Sequence, residues 1–180
     1  VDEQHVLRAD VDAHLADGFE ERQALDVADG AADLADQQVD ALGGGVNLTA
    51  TNGDVKIIDG AVIDVGGLAV QFYDITEHAD AGRIAVTALG GGVRLDAGAV
   101  LNLKAAAGGG NAGTLSAVAT GGGVTLDGTI DAHAANGKGG SFVLDIVALP
   151  DFAGFSQRLE NAGFTASRQF RIRSNDVVVD

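Results

Sequence analysis

Short runs in which apolar and polar residues alternate recur along the middle of the chain. Three of them align, at residues 82–88, 113–119 and 140–146, and their starts lie 31 and 27 residues apart. Alternation with a period of two is typical of a β-strand that buries one face. A self-similar segment that returns about every thirty residues indicates a solenoid or a repeat array.

Shorter apolar runs fill the intervals between these segments. They lie at residues 45–49, 92–96 and 123–127, after Gly-rich stretches, and again at residues 62–65, 100–103 and 130–132. Three short strands with their turns fill about thirty residues. The unit therefore predicts an all-β fold over residues 43–148, a parallel β-helix with about three strands per turn.

Alternate side chains of each predicted strand should point inward and stack on equivalent residues of the next repeat. The predicted inward set is Ile84, Val86, Val93, Leu95, Val100, Leu103, Leu115, Ala117, Val124, Leu126, Ile130 and Ala132. Glycine triplets at residues 43–45, 90–92, 108–110 and 121–123 mark the corners. We expect glycine to supply positive φ angles there.

Residues 1–42 form an acidic segment that does not match the repeat. It carries twelve Asp and Glu residues against Arg8 and Arg22. Spacings of two, as at Val11, Ala13 and Leu15, favour strands, but the alanines at positions 24, 28, 31 and 35 fit a helix equally well. The pattern leaves the structure of this segment open.

Residues 149–180 break the rhythm of the repeat. Pro150 can start a helix, and Phe152, Phe155 and Leu159 fall on one helical face, with Gly163 as the C-terminal cap. Residues 170–173 and 176–179 are then predicted strands. We expect one short helix that covers a side or edge of the β structure, after which strands continue or flank the solenoid.

Composition narrows the possible functions. The chain has 27 glycines and one proline, which excludes collagen, and it lacks cysteine, which is compatible with export in an unfolded state. Its net charge of −15 argues against nucleic acid and anionic membranes as partners. The sequence contains no apolar run of about 18 residues, so it predicts no membrane-spanning segment. Because residue 1 is Val and not Met, we expect the chain to be a piece of a longer protein.

No catalytic residue, cofactor site or metal site is predicted. His5, His14, His78 and His133 are isolated, and we interpret them as exposed surface residues. A carbohydrate-active β-helix would need clustered carboxylates on one face, with basic residues to hold an acidic sugar. The basic residues of the repeat zone are scattered, at Lys56, Arg83, Arg94, Lys104 and Lys138.

Other candidate side chains have simpler interpretations. Asp96, Asp127 and Asp131 could form a stacked carboxylate site, but turn residues that bond their own backbone fit better. For the adjacent Phe72 and Tyr73, we expect one ring to pack inward and the other to shield a strand edge. Four arginines, Arg158, Arg168, Arg171 and Arg173, are expected to be solvated or paired with nearby acids.

The repeat resembles a known family. Residues 91–98, Gly-Gly-Val-Arg-Leu-Asp-Ala-Gly, and 109–115, Gly-Gly-Asn-Ala-Gly-Thr-Leu, are similar to repeats of filamentous-haemagglutinin-like exoproteins. The segment 140–145 and the block from Phe152 to Ser174 are also similar, so the resemblance covers about residues 43–180. The acidic segment lies outside it.

The resemblance implies a right-handed parallel β-helix in a large bacterial surface protein secreted through an outer-membrane partner. Such a segment would be a rigid stalk for adhesion, biofilm formation or contact-dependent interaction, and not an enzyme. Glycans or proteins of host or bacterial cell surfaces would be its partners. A carbohydrate-active β-helix or a sugar-binding module is the alternative function.

Overall fold

The computed structural model describes residues 22–27, 32–34 and 38–174 of the 180-residue chain. This part is mostly β, with one short helix, α1 (Phe152–Asn161). In chain order its strands are β1 (Arg22–Val27), β2 (Ala32–Leu34), β3 (Gln38–Asp40), β4 (Gly45–Ala50), β5 (Val55–Ile57), β6 (Val62–Asp64), β7 (Ala69–Phe72), β8 (Ile75–His78), β9 (Arg83–Ala88), β10 (Val93–Leu95), β11 (Val100–Asn102), β12 (Thr114–Ala119), β13 (Val124–Leu126), β14 (Thr129–Asp131), β15 (Ser141–Ile146) and β16 (Ser167–Ile172).

The strands form three parallel sheets and one antiparallel hairpin. Sheet A has the order β1-β4-β9-β12-β15-β16, sheet B the order β13-β10-β5-β2, and sheet C the order β14-β11-β6-β3. The chain therefore adds one strand to A, then B, then C, and we call each such set of three a layer. The prediction of a mostly β fold with parallel strands and one short C-terminal helix is confirmed.

The acidic segment is described only in part. Its described stretches are β1, β2 and β3, which pair in parallel with β4, β5 and β6. Most of the helical spacing considered for this segment, at Ala28, Ala31 and Ala35, lies outside the described residues. The predicted strand at 176–179 also lies outside them.

Register in the sheets places like residues above one another. Val46, Ile84, Leu115 and Phe142 are partners across neighbouring strands of sheet A, and all four are buried. Sheets B and C repeat the pattern with pairs such as Ile57 and Leu95, or Ile63 and Leu101. Burying such aliphatic side chains is the main favourable term for folding.

The predicted inward set is mostly correct, with one residue wrong. Val100 is only half-buried, whereas Leu101 is 1% exposed. The short strand β11 turns its middle side chain inward, so the alternation starts one residue later than predicted. Three other members, Val124, Leu126 and Ile130, are half-buried because β13 and β14 are the edge strands of their sheets.

The glycines at the corners act differently from the expectation. Positive φ occurs at Gly43, Gly108 and Gly110, but at no residue of the triplets 90–92 and 121–123. In those two triplets, the close approach of neighbouring layers explains the glycines instead. A Cβ on Gly121 would lie 2.5 Å from the carbonyl carbon of Gly90. The expectation of positive φ was therefore wrong for those two triplets.

Helix α1 has the predicted boundaries. The side chain of Asp151 accepts a hydrogen bond from Gly154 N–H at 2.8 Å and caps the first turn. At the other end Gly163 has φ +91°, and Phe164 N–H donates to the Leu159 carbonyl. These are the features of a Schellman motif, so the predicted glycine cap is confirmed.

Aromatic rings gather where α1 meets the sheets. Phe142 lies 5.8 Å from Phe155 and 5.4 Å from Phe164, measured between ring centroids. Phe170 of β16 lies 5.0 Å from Phe152 of the helix. Tilted and edge-on rings at these separations are favourable beyond their buried area. The helix thus covers the end of the core beside the open edges of β13 and β14.

Substituting neighbouring residues of β11 tests which side chain faces the core. We expect Leu101→Ala to lower the free energy of unfolding by about 2–4 kcal/mol, because it leaves a cavity, and Val100→Ala by about 1 kcal/mol or less. Urea denaturation of the two variants measures both values. A larger loss for Val100→Ala would contradict the register of β11.

Candidate functional site

A column of acidic and amide side chains runs along one border of sheet C. Asp40, Asp64, Asn102 and Asp131 are register partners at the ends of their strands. Three of them accept a backbone N–H from two residues further on: Asp64 from Gly66 at 2.7 Å, Asn102 from Lys104 and Asp131 from His133 at 3.1 Å. Each closes the same turn from sheet C towards sheet A.

Asp131 is the most strongly contacted member of this column. Partial burial works against its ionisation, but the hydrogen bonds from His133 and the charge of Lys104 outweigh that effect and lower its pKa. The ring Nδ1 of His133 lies 2.8 Å from the carboxylate, and Nζ of Lys104 lies 3.9 Å away. A carboxyl group held ionised does not serve as a general acid near neutral pH. The interpretation of Asp131 as a turn residue is confirmed.

Asp96 and Asp127 have different contacts. Asp96 is paired with Arg94 of the same strand region, and Asp127 lies 3.8 Å from Arg158 of α1. These contacts are ion pairs, not the predicted bonds to their own backbone. They leave both carboxylates at the surface, each beside a cation.

The C-terminal arginines pair with acids, as expected. Arg168 lies 3.7 Å from Glu160 and donates to Ser156, and Arg171 lies 3.7 Å from Asp145. Arg173 makes two hydrogen bonds to Asp145, at 2.7 and 2.8 Å, and ties the end of β16 to β15. These contacts lower the pKa of Asp145, chiefly through the hydrogen bond from Arg173. The arginines therefore stabilise the last two strands of sheet A.

Two of the four histidines are described. His133 is exposed, but His78 is half-buried, which corrects the expectation that it lies on the surface. Its ring packs against Gly108 and Gly109, and its Nδ1 is buried with no hydrogen-bond partner. The other two, His5 and His14, lie outside the described residues. Within the described ranges, no group of three or more His, Asp or Glu side chains could hold a metal ion.

The aromatic pair Phe72 and Tyr73 lies on a hairpin that the sequence pattern did not reveal. Strands β7 and β8 are antiparallel, with the turn at Tyr73 and Asp74. Neither ring is buried: Phe72 is 57% exposed and Tyr73 fully exposed. The expectation that one ring packs inward was wrong because the hairpin projects away from the three sheets instead of joining them.

The spacing between successive strands of sheet A is the one sequence signal that indicates this hairpin. The sheet A strands β4 and β9 begin at residues 45 and 83, whereas β9 and β12 begin at residues 83 and 114. The first interval is longer by seven residues, and the hairpin occupies that interval. An insertion in a repeat usually maps to an outward loop.

A groove of about 360 Å³ lies beside the helix. Leu126 and Ile130 from the edge strands form one wall, and Phe155 and Leu159 of α1 form the other. The ion pair between Asp127 and Arg158 lies at its rim.

None of the helices in the described residues is long and apolar enough to span a membrane.

Comparison with protein-family models, curated proteins and solved structures finds no match for this chain.

Removing the Asp145 carboxylate tests the pH dependence that follows from its contacts. Its folded pKa is lowered from the ordinary value of 3.8, so the stabilisation is present above that value and is lost as pH falls through the folded pKa. We expect Asp145→Asn to lower the free energy of unfolding by about 1 kcal/mol at neutral pH. The difference from the native chain should shrink as pH falls below 3.8 and vanish once the Asp145 carboxyl is protonated in the folded chain, as urea titrations at several pH values will measure.

Asp74→Asn is the matched control, because this exposed carboxylate in the hairpin turn has no ion pair among the described residues. It should change the unfolding free energy little at any pH. A deficit for Asp145→Asn that stays constant from neutral to acid pH would contradict the assigned role of the ion pair.

Proposed function

We propose that this chain is a segment of a large secreted bacterial surface protein, in which a right-handed parallel β-helix forms a rigid adhesive stalk. One observation carries the proposal. The chain passes through sheets A, B and C in the same order, layer after layer, with every pairing between layers parallel and in register. Such a chain grows along one axis by repeating one unit.

Winding the layers into a closed β-helix accounts for the burial pattern. Side chains from all three sheets belong to one buried cluster, including Val86 of sheet A, Leu95 of sheet B and Leu101 of sheet C. A three-sided prism brings these faces together around one narrow core. The right hand follows from the rule that crossovers between parallel strands of one sheet are almost always right-handed.

The surface chemistry supports a structural role over catalysis. The carboxylates of Asp64 and Asp131 are used in turns, and those of Asp96, Asp127 and Asp145 in ion pairs. Carboxylates held in this way strengthen the corners and the strand pairs. No observation favours the alternative, a carbohydrate-active β-helix or a sugar-binding module.

Adhesion by such a stalk would arise from many weak contacts along its length. Multivalency raises overall affinity without a deep pocket, which suits a surface of short strands and tight corners. Cell-surface glycans or proteins would be the partners. Secretion through an outer-membrane partner fits a chain without cysteine, because no disulfide can form before the unfolded chain is exported.

Display on a non-adherent bacterium tests the adhesive role. We expect cells that carry the chain to bind cultured host cells or each other more than cells that carry the anchor alone. Leu101→Asp should abolish the gain, because it buries a charge in the core, whereas Val100→Asp on the outward position should keep it. The native and variant chains are compared at equal numbers of displayed molecules per cell, which an antibody against a tag measures.

Adhesion that is equal for native and Leu101→Asp chains would show that the folded stalk is not responsible. Depolymerisation of an acidic polysaccharide, lost in Asp96→Asn or Asp127→Asn, would support the carbohydrate-active alternative instead.

A further inference from the structure

Two asparagines of the chain precede a glycine, and the structure places them in different surroundings. Of the seven asparagines, Asn52 and Asn136 are the two that have glycine as the next residue. Such a sequence is chemically reactive, because the glycine nitrogen has no Cβ beside it and can reach the side-chain carbonyl of the asparagine. In a folded chain the reaction depends on how firmly local contacts hold the two residues.

The reacting groups at Asn136 are exposed and make no hydrogen bond. Asn136 and Gly137 lie in the irregular stretch between β14 and β15, and both are exposed. Within the described residues, neither the side-chain amide of Asn136 nor the N–H of Gly137 has a hydrogen-bond partner. The side chain and the nitrogen that would attack it are therefore both open to reaction.

The corner at Asn52 and Gly53 is held between two layers instead. Asn52 is exposed too, so exposure alone does not separate the two sites. However, a Cβ on Gly90 would lie 3.0 Å from the Cα of Asn52, and one on Gly91 would lie 2.5 Å from the Gly53 carbonyl carbon. Asn52 also interacts with another residue. The backbone at this corner therefore has little freedom to rotate towards ring closure.

Asn111, in the loop of the preceding layer, is fixed by its contacts. Its Nδ2 donates to Asp80 at 2.9 Å, and its Oδ1 accepts the Lys138 N–H at 2.9 Å. The next nitrogen, that of Ala112, donates to the Lys138 carbonyl at 2.9 Å. Side chain and following nitrogen are thus both bonded at Asn111, whereas both are unbonded at Asn136.

We propose that Asn136 is a site of spontaneous deamidation, and that the isoaspartate it forms loosens the contact with the loop of Asn111. The Gly137 nitrogen loses its proton to water and bonds to Cγ of Asn136, while the Cγ–Nδ2 bond breaks and ammonia leaves. Water then opens the resulting succinimide ring. Opening at Cγ gives aspartate, and opening at the backbone carbonyl carbon gives isoaspartate, in which the main chain runs through the side-chain carbons.

Isoaspartate lengthens the backbone at a place where neighbouring layers leave no room. Gly137 packs so closely on the preceding layer that a Cβ on it would overlap the Gly110 carbonyl oxygen. One residue further on, Lys138 makes the bonds to Asn111 and Ala112. A longer backbone before Lys138 displaces these groups, so both bonds weaken. The inference stands on this loop and does not depend on the proposed surface role.

Ageing of the native chain in mildly alkaline buffer tests the reaction, because base removes the proton of the attacking nitrogen. Cleavage after Lys and Arg places Asn52 in the peptide 23–56 and Asn136 in the peptide 105–138. Mass spectrometry then follows the replacement of NH2 by OH at each residue. We expect Asn136 to react about ten-fold faster than Asn52 in the folded chain, and at a similar rate in urea.

Asn136→Gln is the matched variant, because it keeps the amide but would have to close a larger and slower ring. Its peptide 105–138 should stay unchanged under the same conditions. Equal rates at Asn52 and Asn136 in the folded chain would overturn the proposal. A rate difference that persists in urea would do so as well, since the fold would then not be its cause.

Hydrogen exchange measures the effect on the loop contact. An isoaspartate-specific methyltransferase identifies the isoaspartate form, which ion exchange separates from the unreacted chain. The amides of Ala112 and Lys138 should exchange about ten-fold faster in this form than in Asn136→Asp, which carries the same charge on a backbone of normal length. Equal exchange in the two would overturn the loosening of the contact.

Discussion

Parallel backbone pairing between successive layers is the interaction on which the rest of the structure depends. Most strands in these sheets bond to the strands one circuit earlier and one circuit later. The exception is the last pair of sheet A, in which β15 bonds in parallel to β16, the strand that follows it after α1. The hydrogen bonds of the backbone are thus satisfied without disulfides or long-range loops. Every strand therefore requires the layer beside it, and a single layer has no independent fold.

This pairing sets strict limits on the side chains. Layers lie about 4.8 Å apart, so the corners must be small. In the triplets 90–92 and 121–123, a Cβ on any glycine except Gly123 would come within about 3 Å of a neighbouring layer. The interior accepts Val, Leu, Ile and Ala in columns, as in the column that runs from Val46 to Leu115. Among the described residues, the buried phenylalanines lie where the columns end and α1 covers them, around Phe142.

The open strand edges of the structure differ in what covers them. Helix α1 replaces the strands that would follow β13 and β14, and its buried Phe155 and Leu159 cover the end of the core. The hairpin edge at β7 has neither a helix over it nor a charge within it.

Much of the fold follows from the sequence, because alternation and spacing report burial directly. The strands at residues 83–88, 114–119 and 141–146 and the helix with its Gly163 cap were predicted with the correct type and position. The phase of β11 was missed, because a three-residue strand with apolar residues at both 100 and 101 does not define its own alternation.

The surface features were harder to predict, because they depend on contacts between distant residues. The hairpin was missed since Gln71, Thr76 and Glu77 carry no signal of the three-sheet repeat. The ion pair between Asp127 and Arg158 joins an edge strand to the helix, and the bond between Asp80 and Asn111 joins two layers. Neither pair is close in sequence, so no local pattern indicates them.

The most direct test of the layered pairing is nuclear magnetic resonance of the labelled chain, with through-space contacts measured at β10. We predict that backbone protons of Val93–Leu95 are close to those of Val55–Ile57 in β5 on one side and to those of Val124–Leu126 in β13 on the other, with the pattern of parallel strands. Close contacts between the α-protons of β9 and β10, as in an antiparallel hairpin of consecutive strands, would contradict it.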